Sequence, residues 1–140
     1  MPDMSGIRRF QFLISQGAKD DLKACKEEDS YAAAKISELL RDVRDDIIAG
    51  EALVDERFFD AVVESVRPVW SLQDKRINAY RVRMVVIHAW RIITAVDYPG
   101  RRVAVLAVMH RDENYEDNIE LWARIEGEYD SFGFPRYGRV

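Results

Sequence analysis

The fold is decided by three runs: Tyr80-Arg81-Val82-Arg83-Met84-Val85-Val86-Ile87, then Trp90-Arg91-Ile92-Ile93-Thr94-Ala95-Val96-Asp97, then Arg102-Val103-Ala104-Val105-Leu106-Ala107-Val108-Met109. The first is rich in β-branched residues and alternates, with Arg81 and Arg83 on one side and Val82, Met84 and Val86 on the other. The second alternates as well, setting Arg91, Ile93 and Ala95 opposite Ile92, Thr94 and Val96. Tyr98-Pro99-Gly100 is a turn signal, because proline pre-sets the backbone of the second turn position and glycine tolerates the third. The third run is apolar at both parities, as expected of a strand covered on both faces or central in its sheet. Together they predict an antiparallel meander.

Working outward, Ile7 to Ile14 alternates loosely and predicts another strand. Ser15 is placed to cap a helix from about Gln16 to Glu28, and Asp29-Ser30 to cap a second. In the second, Ala33, Ile36, Leu40, Val43 and Ile47 recur at helical spacing, and Gly50 stands where a helix stop is expected. The pair predicts a helical hairpin with one apolar stripe and a solvated, charged outer face. Phe58, Phe59, Val62, Val63 and Val66 suit a third short helix, broken at Arg67-Pro68. Ile119, Trp122 and Ile125 have helix spacing within Glu116 to Glu128, and the tail from Ser131 to Val140 is either a docked arm or a mobile end.

A chain of 140 residues fits a single domain, here 1–140, with a C-terminal helix and tail over about 116–140. At 48% hydrophobic and 33% charged residues, with mean hydropathy −0.30, it has the composition of a soluble globular protein. One cysteine, Cys25, excludes an intramolecular disulfide framework and a cysteine-based zinc cluster, and it suits a reducing cytosol. Two histidines, His88 and His110, are too few for a histidine-rich metal site. No apolar run approaches the ~20 residues that span a bilayer, and no secretory signal follows Arg8-Arg9, so the expected location is the cytoplasm with no membrane partner.

The net charge of −4 conceals an asymmetry. Residues 67–115 carry nine Lys/Arg against four Asp/Glu, whereas residues 1–66 carry nine against 15. A basic block inside an acidic chain points to one localised anion-binding surface. Arg81 and Arg83, two apart on one strand, share a face; Arg91 lies on the next strand, and His110-Arg111 closes the third, with Tyr115 four residues on. Guanidinium groups converging on one groove match phosphate oxygens in geometry and stay charged. Spacing alone says only that they share a face, and arginine is common on exposed sheet faces.

The order of these residues adds to that. Asn78-Ala79-Tyr80-Arg81-Val82-Arg83, Trp90-Arg91-Ile92-Ile93-Thr94-Ala95-Val96-Asp97, and Val105-Leu106-Ala107-Val108-Met109-His110-Arg111 followed by Tyr115 resemble three successive strand motifs of the RelE/ParE superfamily of bacterial toxins. The likeness is specific over about residues 78–115 and architectural over 7–50. It implies an α+β fold in which two N-terminal helices pack on a twisted antiparallel β-sheet, here with extra helical segments. It further implies the toxin of a type II toxin–antitoxin system: a ribosome-dependent mRNA endonuclease that cuts without metal or cofactor. Its partners would be a cognate antitoxin, the ribosome and mRNA.

By the same resemblance, Arg81 and Arg83 match the family's basic pair, Arg91 its phosphate-stabilising arginine, Arg111 the arginine closing the last strand, and Tyr115 the C-terminal tyrosine. Lys75 and Arg76 join Arg81 and Arg83 as expected RNA- and phosphate-binding residues; Arg91, Arg111, Tyr115 and His110 are the expected catalytic set. Fixed guanidinium groups favour the extra negative charge of a pentacoordinate phosphorus over the ground state. Arginine cannot act as base at neutral pH, so the base is Tyr115, His110 or a water. A phenol near pKa ~10 needs cations to stabilise its phenolate, whereas imidazole titrates near ~6.5 unaided. Two other outcomes stay open: a ParE-like inhibitor of DNA gyrase, and an inactive RelE-fold interaction protein whose insertion (Glu51 to Val66) and C-terminal extension form a new contact surface.

Overall fold

A computed structural model describes residues 9–113 and 118–137. Its elements run β1 (Gln11–Ile14), α1 (Gln16–Glu28), α2 (Ser30–Arg44), a 3-10 turn (Gly50–Val54), β2 (Val63–Pro68), α3 (Trp70–Gln73), β3 (Ala79–Met84), β4 (Trp90–Asp97), β5 (Arg102–His110) and α4 (Ile119–Ser131). The five strands form one sheet in the order β1-β5-β4-β3-β2. The chain is therefore α+β. The meander β3-β4-β5 is antiparallel, as the alternation predicted. The sheet as a whole is mixed rather than antiparallel, because β1 lies parallel to β5. Between these two strands run α1, α2, the 3-10 turn and the rest of the sheet, a connection long enough for the parallel pairing.

Ser15 caps α1, its hydroxyl accepting from the Ala18 amide, and Asp29 caps α2 by accepting from Ala32. The second helix stops earlier than its spacing predicted. Asp46 takes a left-handed φ of 64°, and the Ile47 amide turns back to the Asp42 carbonyl at 2.8 Å, so Ile47 is left 71% exposed. Aspartate tolerates that conformation and does here what Gly50 was expected to do.

Residues 51–66 correct a larger expectation, for they hold no third α-helix. Asp60 accepts from the Val62 and Val63 amides and starts β2, which pairs antiparallel with β3 at the sheet edge. An irregularity between Val63 and Ser65 puts an extra residue in the strand, so Val63 and Val66 both turn inward. That bulge gives a strand the spacing of a helix. Pro68 ends β2 opposite Tyr80, at an edge where its missing N–H costs little.

The sheet is covered on both faces. Ile36, Leu39, Leu40 and Val43 of α2 pack with Val66, Val82, Met84, Ile92, Val105 and Val108. On the other face Leu121, Ile125 and Tyr129 of α4 pack with Ile93, Ala95, Leu106, Ala107 and Met109. The α4 stripe is thus rotated from the expected one: Ile119 is 76% exposed. The tail is a docked arm as far as 137, with Phe134 buried and the Tyr129 hydroxyl donating to the Pro135 carbonyl. Burial on both faces explains why β5 is apolar at both parities. Among the described residues no helix is long and apolar enough to cross a membrane.

Candidate phosphate-binding face

The meander's alternation sends Arg81, Arg83 and Arg91 to one face, and the ladder sets them side by side. Arg83 lies directly opposite Arg91 across β3-β4, and Arg81 lies opposite Ile93. Across β2-β3, Arg67 lies directly opposite Arg81, and Ser65 opposite Arg83. Directly opposed residues share a face with Cβ atoms about 4.5–5.5 Å apart. Four arginines therefore leave one face of three neighbouring strands, within a patch ~10 Å across the strands. The patch adjoins the half of that face which α4 covers, since Arg91 pairs with the buried Met109 and Arg81 with the buried Ile93.

Arg81 and Arg83 have few side-chain partners among the described residues. Arg83 reaches the Glu64 carboxylate only at 3.9 Å, and Glu64 is shared with His88 at 3.6 Å. The Nε atoms of both Arg81 and Arg83 are buried without a hydrogen-bond acceptor. The Arg81 side chain has no hydrogen bond or ion pair among the described residues. Arg91 turns its Nη1 onto the carbonyls of His88 and Trp90. Like charges placed opposite one another destabilise a sheet, and a buried donor without an acceptor costs about 1–3 kcal/mol. An anion between these side chains would relieve both.

The other expected residues divide. Arg111 follows β5 at the Arg83/Arg91 end of the sheet, exposed, with its amide held by the Ala89 carbonyl at 2.6 Å. His110 does not join the arginines. It pairs with Trp90, one residue from Arg91 and so on the opposite face, where the two rings meet edge to face at 5.2 Å. Its Nδ1 accepts from the Asp112 amide at 3.1 Å. Lys75 and Arg76 lie before β3, at the far end from Arg83. Lys75 is engaged with α4, 2.9 Å from the Glu126 carboxylate and over the Trp122 ring, while the Arg76 carbonyl accepts from Tyr137. Tyr115 lies outside the described residues.

Arg67 is the member that sequence reasoning missed. Assigned to the end of a helix, it had no face to share with Arg81. The signal was available in Val63-Glu64-Ser65-Val66-Arg67-Pro68, a β-branched run ending in a proline that suits an edge strand. No protein-family model, no curated protein and no solved structure matches the chain.

Proposed function

We propose that the protein is a RelE-like endoribonuclease toxin that holds the phosphate backbone of mRNA on the face formed by Arg67, Arg81, Arg83 and Arg91. The observation that carries this reading is the convergence of four arginines on one sheet face, where Arg81 and Arg83 each have a buried Nε without an acceptor and, among the described residues, have between them only the distant Glu64 carboxylate, 3.9 Å from Arg83. A structural role would pair such charges; a ligand-binding role leaves them waiting. The order of the strand motifs supplies the rest of the reading.

In this mechanism the ribose 2′-oxygen attacks the adjacent phosphorus as the P–O5′ bond breaks. The products are a 2′,3′-cyclic phosphate and a free 5′-hydroxyl. The arginines hold the non-bridging oxygens, where charge accumulates in the transition state. Tyr115 takes the 2′-hydroxyl proton, and the leaving 5′-oxygen gains one from a neighbouring acid or water. His110 is set aside as base because its ring leaves the opposite face of the sheet. Arg111, at the arginine end of the sheet, adds charge where the strand motifs end. The partner reading follows: an antitoxin with an acidic segment that neutralises the arginine face, and the ribosome as the platform presenting mRNA.

Induced expression in a bacterial host tests this. Translation should stop, with mRNA cut inside codons, and Arg91→Ala with Arg111→Ala should abolish both effects. Unaffected growth and intact mRNA with the wild-type chain would end the reading; arrest with intact mRNA and inhibited DNA supercoiling would replace it by gyrase poisoning.

A further inference from the structure

The sheet face turned away from the arginines holds a concavity of opposite charge. Tyr80 follows Ala79 and precedes Arg81 in β3, so its ring leaves the face opposite to the arginines. The turn Gly50–Val54 and the residues after it lie over this side of the sheet, where the Leu53 carbonyl accepts from the Thr94 hydroxyl at 2.8 Å. With Phe10 and Tyr98 they line an open cleft of about 500 Å³, within the size range of small-ligand sites. Its walls include the rings of Phe10, Tyr80 and Tyr98, and its charged lining is Glu51, Asp55, Glu56 and Arg57.

The lining is organised rather than merely acidic. Phe10 and Tyr98 meet edge to face, centroids 6.0 Å apart. Asp55 accepts from the Arg57 amide at 2.9 Å and from its Nε at 3.2 Å, which holds the carboxyl below its ordinary pKa. The Glu51 and Glu56 carboxylates have no hydrogen bond or ion pair among the described residues. Burial foremost, then Tyr98 and the Glu56 carboxylate, pushes the Tyr80 phenol up to about 12; burial, then Asp55 and Glu51, raises that of Tyr98. Both hydroxyls are thus neutral in a negative field. Phe10 already carries one cation, the Arg101 guanidinium, 5.1 Å from its ring centre.

Aromatic faces and uncommitted carboxylates around one cleft select against most ligands. An anion would be repelled. A hard metal ion would find ring faces where it needs oxygen ligands. A purely apolar molecule would desolvate the carboxylates without compensation. A guanidinium or alkylammonium group satisfies both features, since ring quadrupoles attract it and carboxylates neutralise it. We propose that this cleft binds an organic cation, a guanidinium or alkylammonium group, against Phe10, Tyr80 and Tyr98, with Glu51 and Glu56 as counter-charges. Two resident cations compete with it: Arg57, tethered at the rim by Asp55, and Arg101 over Phe10. The site is independent of RNA cleavage: it uses residues of the insertion and the opposite sheet face.

The test titrates the full chain, followed by calorimetry and by the aromatic NMR resonances, with two probes. Agmatine represents a free amine, and N-acetyl-Gly-Arg-Gly-amide represents an arginine side chain of a partner protein. Saturable binding of either supports the proposal, and the probe that binds names the source. The Glu51→Gln/Glu56→Gln double variant should bind about tenfold more weakly, and Arg57→Gln about threefold more tightly, both with unchanged melting temperature. Binding of neutral N-butylurea as strong as that of agmatine would overturn it. So would unchanged affinity in the double glutamine variant, or no saturable binding of either probe.

Discussion

Arg81 and Arg83 sit at positions where a strand would ordinarily place threonine or valine. Each is half-buried, each has a buried Nε without an acceptor, and Arg81 faces Arg67 across the ladder. In the absence of a ligand both the unmade hydrogen bond and the like-charge contact oppose folding. Arg81→Thr removes both liabilities and substitutes a good strand former, so it should stabilise the protein by about 0.5–1 kcal/mol in chemical denaturation while weakening RNA binding. A loss of stability would mean that Arg81 is there for the fold. Gly100 makes a different point at this scale. Its φ is not positive; the left-handed residue of that turn is Arg101, at 54°. Glycine is needed for space, because a Cβ there would lie 2.1 Å from an Asp97 oxygen that is itself bonded to Arg102.

Among the elements, β5 outruns its parallel neighbour. The β1-β5 register ends at Ile14 opposite Val105, which leaves the Leu106 carbonyl and Val108 amide at an open edge. Asp21 of α1 accepts the Val108 N–H at 3.0 Å, and Arg124 of α4 donates to the Leu106 carbonyl at 2.9 Å. The two side chains bind each other through paired contacts of 2.9 and 2.7 Å. Gly17 lets α1 approach: a Cβ there would meet the Arg124 Nε at 2.4 Å. This clasp joins helices from opposite faces around one strand edge. Either Asp21→Ala or Arg124→Ala should cost about 2–3 kcal/mol, and the double variant less than the sum, read by denaturant melts. Additive losses would mean that the two side chains act separately. None of this was legible in the sequence, since residues 103 apart meet only after the sheet forms. The capped helices and the meander were legible because caps and alternation are local. The parallel β1, the bulged β2 and the early end of α2 were not: each depends on a long-range pairing or on a non-glycine residue accepting a left-handed backbone. Arg67 vanished with β2, whereas Arg81, Arg83 and Arg91 survived because their strands alternate.

At the scale of the whole molecule, a net charge of −4 is compatible with nucleic-acid binding when charge is sorted by face. One sheet face gathers Arg67, Arg81, Arg83 and Arg91, and the other carries the cleft rimmed by Glu51, Asp55 and Glu56. The same sheet can then meet an anion on one side and a cation on the other. The proposed function puts a scissile phosphate on the arginine face. It is tested most directly by incubating the purified protein with mRNA-programmed ribosomes in excess chelator and analysing the mRNA ends. Cuts bearing a 2′,3′-cyclic phosphate and a 5′-hydroxyl are expected, slowed at least ~100-fold by Arg81→Ala with Arg83→Ala, for two lost phosphate contacts. Intact mRNA with the wild-type protein, or cleavage at the same rate by the double variant, would contradict it.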